Sequence, residues 1–493
     1  MSSLGFCLGL DSERGDGPVT AEERLAHALR ARTDEEQALD RVRRYMRGLH
    51  DPSYMPRSHE GEFSGFRQEA IGNWLPLIVT TVAQNLYVEG YRDDEHPDNL
   101  SVWEYWVANG LSSRQMHVYR SALTYGHGYV MVWPGDPGPV ARVYSPLAMY
   151  VVQEDPDAEF PDYAIRRSRS RVKNELGLVG DVWDLVDAEG VWSFWVPSGD
   201  YGNTREYRLL DSWTHPFGVC PVVVFRNQWT DDPDVRIAEL GEVWPLIPLQ
   251  DRLNDTTLGL LIAQQYAAFK QKWATGVEIP RDPETGRPIE PFEAAVNRLW
   301  TTASKDARFG EFTETDLTGY LASQESAIKQ MATIAQVPPH YLLGGLVNIS
   351  AEALAAAEAG LTRKVSERKA VFGEAWARVF RLLAFAAGQF EDAENTRARV
   401  VWRDTEARSL AASADALGKL ATMLGIPAEA LWELIPGVTP FQIRRWKRLK
   451  QQDMAMDVAE VAATLLRGDE TQLPVEASGD SLPVEEGDLD GGD

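Results

Sequence analysis

Residues 350–388 read SAEALAAAEAGLTRKVSERKAVFGEAWARVFRLLAFAAG, and they decide how the rest of the chain is organised. Leu354, Leu361, Val365, Phe372, Trp376, Val379 and Leu383 follow one another at steps of seven, four, seven, four, three and four. Such steps keep one side of an α-helix apolar, so the stretch is expected to be a single helix of roughly 55 Å, long for a globular domain. Ser350 stands as its N-cap, and Glu352 in the first turn suits the dipole.

Upstream lie two more helical stretches. Leu249, Leu253, Thr256, Leu260, Ala263 and Ala267 form a narrow seam on a helix expected from Pro245 to Trp273. Leu317, Leu321, Ile328, Met331 and Ala335 are expected to face one way on a second helix, with Asp316 near its start and Pro338-Pro339 ending it. Residues 275–314 separate the two and hold strand candidates at Arg298–Thr302 and Arg308–Phe312. Narrow seams on otherwise polar helices suit side-by-side packing with neighbours in an oligomer.

Further upstream, short β-branched and aromatic runs read as strands: Tyr129–Trp133, Ala141–Tyr144, Met149–Val152, Tyr163–Arg167, Val182–Val186, Val191–Trp195 and Pro221–Phe225. Ala188-Glu-Gly190 is a hairpin turn signal. Before this β-rich lobe come helices: one capped by Thr20, a second from Thr33 to about Tyr45 stopped by Gly48, and a third through Trp74–Leu86 with a kink or late start at Pro76. Two shorter ones over 102–125 break at Asn109-Gly110, and 51–62 reads as a loop. Beyond the long helix lie strand-like Arg399–Trp402 and a small helical region, 405–467. Residues 1–19 read as a loose arm; residues 468–493, with nine acidic residues and no basic one, read as a disordered tail.

The 493 residues have 44 % hydrophobic and 25 % charged composition, which excludes wholesale disorder. No apolar run approaches the roughly 18 residues of a membrane span. Leu4 to Leu10 has no Lys or Arg before it and is not read as a secretory signal. Cys7 and Cys220 cannot make a disulfide framework and read as two buried thiols in a chain made in a reducing compartment. With 49 basic against 74 acidic residues the net charge is −25, which argues against gripping nucleic acid by broad phosphate neutralisation. It does not argue against surrounding DNA without holding it.

Catalytic signatures are missing: no P-loop, His-Glu-x-x-His, Gly-x-Ser-x-Gly or Cys-x-x-Cys occurs, and the eight histidines show no zinc spacing. Gly479-Asp-Ser-Leu482 resembles a lipase tetrapeptide only by chance, since it sits in the acidic tail. Glu311/Glu314 and Glu352/Glu358 are paired carboxylates whose default is solvated surface. Of the sixteen tryptophans, Trp74, Trp133, Trp183 and Trp376 fall inside apolar-periodic segments and read as core. The chain is therefore expected to lack catalytic residues, cofactor and metal. A soluble acidic enzyme such as a glycoside hydrolase, using two carboxylates, stands as an alternative reading.

Several motifs together resemble one family. Arg44-Tyr-Met-Arg-Gly-Leu-His50, Tyr54-Met-Pro56, Asn73-Trp-Leu-Pro-Leu-Ile-Val79 and Val88-Glu-Gly-Tyr-Arg92 look like the N-terminal part of portal proteins of tailed double-stranded DNA phages, of the siphophage type infecting actinobacteria. Trp273-Ala-Thr-Gly-Val-Glu-Ile-Pro280, Pro338-Pro-His-Tyr-Leu-Leu-Gly344, Asn348-Ile-Ser-Ala-Glu-Ala-Leu354 and Phe372-Gly-Glu-Ala-Trp376 are similar to the same family, in the same order. The resemblance runs from about residue 24 to 450, and another phage head structural protein stands as a second alternative.

It implies an α+β portal fold with wing, stem, clip and crown. The divisions are an N-terminal arm (1–24), wing (25–235), first stem helix (236–273), clip (274–314), second stem helix (315–336), tunnel loop (337–349), long wing helix and strand (350–402), crown (403–467) and acidic tail (468–493). The implied function is a ring, usually of twelve copies in the virion, at one capsid vertex. It passes double-stranded DNA without sequence specificity during packaging and ejection. The implied partners are the terminase large subunit, major capsid and scaffolding proteins and a head-completion adaptor, with no membrane, and assembly is in the host cytoplasm. Gln324, Glu325 and Lys329 are candidates for the channel face of the second stem helix. Gly344, Gly345, Leu346, Val347 and Asn348 are candidates for the tunnel loop, and Arg281, Arg287 and Phe292 for partner docking by the clip.

Overall fold

The structure, a computed structural model, describes residues 20–55, 60–93, 99–198, 204–230, 232, 234–268, 272–276, 283, 285–287, 306–311, 316–344, 351–403, 410–435, 437–438 and 440–466. It divides into two units, Met1–Arg403 and Asp404–Asp493. In chain order the first contains α1 (Ala21–Met46), α2 (Glu60–Glu69), α3 (Leu75–Ala83), β1 (Val88–Arg92), α4 (Trp103–Ala108), α5 (Leu111–Tyr125), β2 (His127–Trp133), β3 (Val140–Tyr144), β4 (Met149–Val152), β5 (Tyr163–Lys173), β6 (Val179–Asp187), β7 (Gly190–Pro197), β8 (Arg208–Thr214) and β9 (Val222–Arg226). It continues with α6 (Ile247–Ala268), β10 (Lys272–Thr275), β11 (Arg308–Glu311), α7 (Thr318–Ala335), α8 (Pro339–Leu343), α9 (Ala351–Ala386), α10 (Phe390–Glu394) and β12 (Arg399–Trp402). The second unit holds α11 (Leu410–Leu424), α12 (Ala428–Leu431) and α13 (Pro440–Leu466).

Strand alternation builds the layers. β4-β5-β6-β7-β8 is an antiparallel meander, and β3-β2-β9 is a smaller antiparallel sheet. On β6, Trp183 and Leu185 face Leu25, Ala26 and Leu29 of α1, while Val186 faces Tyr129, Met131 and Val222 of the smaller sheet. Val130, Val132, Val223 and Phe225 point the other way, into the largest core, with the helices. The period of two thus stacks α1, large sheet, small sheet and helices. The β6–β7 hairpin is held by Asp187 Oδ1, which accepts from the N–H groups of Glu189 and Gly190. β8 closes the meander at one edge and is exposed at every residue, including Leu209, Leu210 and Trp213.

The long helix α9 is one element of 36 residues, as its periodicity predicts. Phe372, Trp376, Val379, Phe380 and Leu383 are fully buried. Trp376 meets Trp106 edge-on at 4.7 Å and Phe225 at 4.8 Å, and Phe380 stacks on Tyr91 at 4.2 Å. The Trp376 indole donates to Tyr119 Oη at 2.8 Å, Tyr119 donates to Gln115 Oε1 at 3.1 Å, and that oxygen also accepts from the Val88 N–H at 2.8 Å. α9, α5 and β1 are therefore joined by one satisfied polar chain inside an aromatic cluster.

Two polar clusters seat the helices that flank β10–β11. At the C-terminus of α7, Lys364 and Arg368 of α9 converge on Glu242, all three nearly inaccessible. Lys364 Nζ also donates to the carbonyl of Ala335, the last residue of α7, at 2.9 Å. Two cations against one carboxylate are balanced there by that carbonyl and by Glu367, 2.8 Å from Arg368. At the start of α6, Gln250 Nε2 donates to the carbonyl of Gly72 at 2.7 Å and to Asn254 Oδ1 at 3.0 Å. Asn254 Nδ2 lies 2.9 Å from His50 Nδ1, and His50 stacks on Tyr45 at 4.7 Å. Tyr45 donates to Asp251 at 2.6 Å.

Several expectations are corrected. Thr33 does not start a second helix: its hydroxyl bonds the carbonyl of Leu29 at 2.7 Å, four residues back, and α1 runs through it unbroken. The cap at Thr20 is real, reciprocated by Glu23 in a capping box. The helix expected to reach Trp273 ends at Ala268, because Lys272–Thr275 pairs with Arg308–Glu311. Leu321, placed on the buried side of α7 by its spacing, is 54 % exposed, while Ile328, Met331 and Ala335 are buried. Pro76 sits in the first turn of α3, a late start rather than a kink. The 51–62 loop gives way to α2 from Glu60, and β1, β8 and β10 are strands that the sequence patterning does not single out. Cys220 is buried, and burial pushes its thiol up. Trp183 and Trp376 are core, with Trp74 and Trp133 packed partly buried against it. The Arg298–Thr302 strand, the cap at Ser350, Cys7, the 1–19 arm and the 468–493 tail lie outside the described residues.

One glycine is dictated by close approach. Gly126 turns α5 into β2 at φ 86°, and an added Cβ would stand 2.0 Å from the carbonyl oxygen of Ile237.

Three outcomes follow from this packing. Trp376→Ala removes a buried aromatic and orphans the Tyr119 acceptor, so equilibrium urea unfolding is expected to lose about 3–5 kcal/mol. A loss below about 1 kcal/mol is incompatible with the cluster. Glu242→Ala leaves two buried cations facing each other and is expected to cost about 3–5 kcal/mol, with Lys364→Met far milder in the same assay. Acid also has a defined sign. Burial holds His50 and His215 below the ordinary imidazole value, and burial, with Arg226 adding, pushes His127 down to about 3. Below pH of about 6.5 the unfolded chain therefore binds protons that the native fold does not, and stability falls as pH drops. Burial raises Asp251, the opposite sign, so protonation there relieves a cost, beginning in the carboxylate range and thus at lower pH. Thermal midpoints measured from pH 7.5 to 5.5 are expected to decline, with a shallower slope in His50→Asn; equal slopes refute the His50 contribution.

Candidate functional site

α6 and α7 pack along one another and hold the β10–β11 pair between them in sequence. Their contact is close because Gly259 has no side chain: an added Cβ would come 3.0 Å from the Tyr320 ring. Gln324 Nε2 donates to Thr257 Oγ1 at 2.7 Å, and Arg252 donates to Gln330 Oε1 at 2.7 Å. Thr318 N–H bonds Asp316 Oδ1 at 2.9 Å at the start of α7. Hydrogen bonding from the Thr318 hydroxyl first, and then from this N–H, holds the Asp316 carboxyl below its usual range.

Burial is uneven along α7. Ala327, Ile328, Met331, Ala332 and Ala335 are buried, all in its second half, whereas Thr318–Ser326 has no buried residue. The outward side forms an open groove of about 500 Å³ lined by Ala322, Glu325, Ser326, Lys329, Thr333 and Ile334, among others. Ile334 leaves apolar surface in this groove, 53 % exposed, and Leu321, on a different side of the helix nearer its start, is 54 % exposed.

The three channel candidates divide between two sides. Gln324 is turned to α6 through its bond to Thr257. Glu325 and Lys329 lie in the groove, joined by an i,i+4 ion pair of 2.7 Å with both side chains more than half exposed. Such a pair is worth only about 0.3–0.5 kcal/mol, yet it offsets most of the charge that Lys329 presents to a passing anion.

Gly344 caps α8 at φ 68°, a left-handed position suited to glycine. The first part of the expected tunnel loop is thus a helical turn, tied to α9 by Tyr341 Oη donating to Glu358 at 3.0 Å. Gly345, Leu346, Val347 and Asn348 lie outside the described residues. Of the clip candidates, Arg287 is exposed, and Arg281 and Phe292 lie outside the described residues. In the hairpin, Trp273 lies over Gly310, where a Cβ would stand 2.4 Å from its ring, and Trp273 and Phe309 are both partly exposed. Of the carboxylates Glu311, Glu314, Glu352 and Glu358, only Glu358 has a described side chain, and it serves Tyr341.

The residues that sequence reasoning missed are the seats: Glu242, Lys364 and Arg368 for α7, and His50, Gln250 and Asn254 for α6. One signal was present. The step of seven from Val365 to Phe372 skips the position three residues beyond Val365, and Arg368 occupies it. A charge on the apolar side of a helix implies a buried partner.

Among the described residues no group of three or more His, Cys, Asp and Glu is placed to hold a metal ion, and no helix is long and apolar enough to cross a membrane.

Known proteins resemble this chain in sequence. The portal protein of Mycobacterium phage D29 is 27 % identical over 441 residues, covering 82 % of this chain and 84 % of its own. That of Mycobacterium phage L5 is 27 % identical over 394 residues, covering 72 % and 76 %. Among solved structures, the neck of an empty gene transfer agent particle gives a TM-score of 0.43 at 14 % identity over 78 % of this chain and 95 % of that one. The neck of the native particle gives 0.43 at 13 % identity over 82 % and 98 %. The family described as "Phage portal protein, SPP1 Gp6-like" matches residues 27–456, a span that takes in both helix seats, the helix pair and α9, and the chain belongs to it.

Proposed function

We propose that this portal-family chain is the subunit of a ring, of twelve copies in the virion, at one vertex of a phage capsid. Double-stranded DNA passes through the ring during packaging and ejection, without sequence readout and without catalysis by the ring. The terminase large subunit docks first and a head-completion adaptor later, with scaffolding and major capsid proteins around the ring. In this reading residues 25–235 and 350–402 are the wing, α6 and α7 the stem, 274–314 the clip, 337–349 the tunnel loop and 403–467 the crown.

The observation that carries the reading is the outward side of α7. A helix firmly seated at one end leaves Ile334 exposed in an open groove and Leu321 exposed on a second side, toward its start. Large apolar side chains exposed on two sides of one helix suit contact with neighbouring copies on either side of it, as in a ring. Glu325 and Lys329, self-neutralised, suit a wall past which DNA slides rather than one that holds it.

Negative-stain electron microscopy with mass photometry on one sample tests this. Rings with a channel wider than duplex DNA, roughly 20 Å, are expected, and Leu321→Glu with Ile334→Glu is expected to lower the ringed fraction at least tenfold while the subunit stays folded. Monomers or dimers that persist across salt and concentration overturn it.

A further inference from the structure

The second unit holds the densest run of positive charge in this acidic chain. Five of the 49 basic residues fall within seven positions, Arg444-Arg-Trp-Lys-Arg-Leu-Lys450, on α13. Lys450 pairs with Glu429. Arg444, Arg445, Lys447 and Arg448 are exposed and have no ion pair among the described residues. At about 100° per residue these four span about 160° of the helix. Ile443 and Trp446 occupy the opposite side: Ile443 is buried and Trp446 packs edge-on against Trp432 at 6.0 Å. Packing therefore fixes which way the helix turns, and it turns the four cations outward together.

The same chain supplies a competing anion. Residues 468–493 follow α13 directly and carry nine acidic residues and no basic one. From Leu466 back to Arg448 is about 27 Å along the helix, and an extended chain spans about 3.4 Å per residue, so Glu485 and Glu486 are within reach of the cations.

We infer that the Arg444, Arg445, Lys447 and Arg448 face of α13 is a binding site for the phosphate backbone of duplex DNA, and that the acidic tail competes with DNA for it. The inference rests on the portal reading for the presence of DNA; the site itself rests on charge and packing. Four outward guanidinium and ammonium groups with no base-reading geometry give contact independent of sequence and steeply sensitive to salt. An interfacial membrane helix needs an apolar half, and here Ile443 and Trp446 are occupied inside the fold.

The test is fluorescence anisotropy with a 30-base-pair duplex, using the full chain, a chain ending at Arg467, and both with Arg444, Arg445, Lys447 and Arg448 changed to Gln. The shortened chain is expected to bind about tenfold tighter than the full one at 50 mM salt. Its log affinity should fall against log salt with a slope of about −3.6 or steeper, roughly a hundredfold loss between 50 and 200 mM. The Gln changes should abolish this component in both lengths. Equal binding by the Gln variants, no gain on shortening, or capture by phosphatidylserine vesicles without DNA binding each overturns the inference. The salt titration of the shortened chain needs none of the Gln substitutions, so it decides the matter even where they unfold the unit. Imaging the same samples separates the two readings: rings that do not bind DNA refute the site alone, and their absence tells against the ring.

Discussion

Everything in the first unit is arranged around a single helix that has almost no solvent side for half its length. α9 must bury Phe372, Trp376, Phe380 and Leu383 on one stretch and two cations on the stretch before. The aromatic part fixes its place by shape, through rings from α4, α5, β1 and β9. The charged part fixes its axial position, because Lys364 and Arg368 must both meet Glu242. Apolar packing tolerates some sliding; a buried ion cluster does not, since a shift of one turn leaves charge unpaired in a low dielectric.

That axial lock is what gives the α6–α7 pair a definite direction. Lys364 reaches the last carbonyl of α7, so the helix end and the core share one set of hydrogen bonds. α6 is held independently by Gln250 and Asn254, against the loop of His50 and the backbone of Gly72. Two neighbouring helices with separate seats resist a bend at either one, a property suited to parts that bear load or contact other copies. The far half of α6 packs Leu258 against Met55 and Phe63, whereas the far half of α7 gains little from the core and its outward side keeps an open groove.

Local features of this arrangement were legible in the sequence, and remote pairings were not. The seam from Leu361 to Leu383, the cap at Thr20, the break at Gly110 and the turn at Glu189-Gly190 each declare themselves within a few residues. β1 pairs with β12 across some three hundred residues, and a five-residue strand with a glycine in it has no local signature. β8 is exposed on both faces, so it has no alternation to read. Thr33 misled because a hydroxyl that caps a helix also bonds back within one. Leu321 misled because periodicity records which positions are apolar, not which surface covers them. For the site, Gln324, Glu325 and Lys329 were picked as polar positions on one helix. Only the bond to Thr257 and the Glu325–Lys329 pair sort them into different environments.

The outer edge of the five-stranded meander has a consequence for the life of an unassembled subunit. Among the described residues β8 offers one unpaired row of backbone donors and acceptors beside Leu209, Leu210 and Trp213, with Arg208 and Asp211 as its charged guards. Such an edge adds further strands without regard to register and is a template for aggregation. The tendency grows with the concentration of free chains, so this edge sets a limit on how much of the chain stays dispersed. A concentrated stock of free chain is less a reservoir than a route to precipitate, unless the edge is covered early.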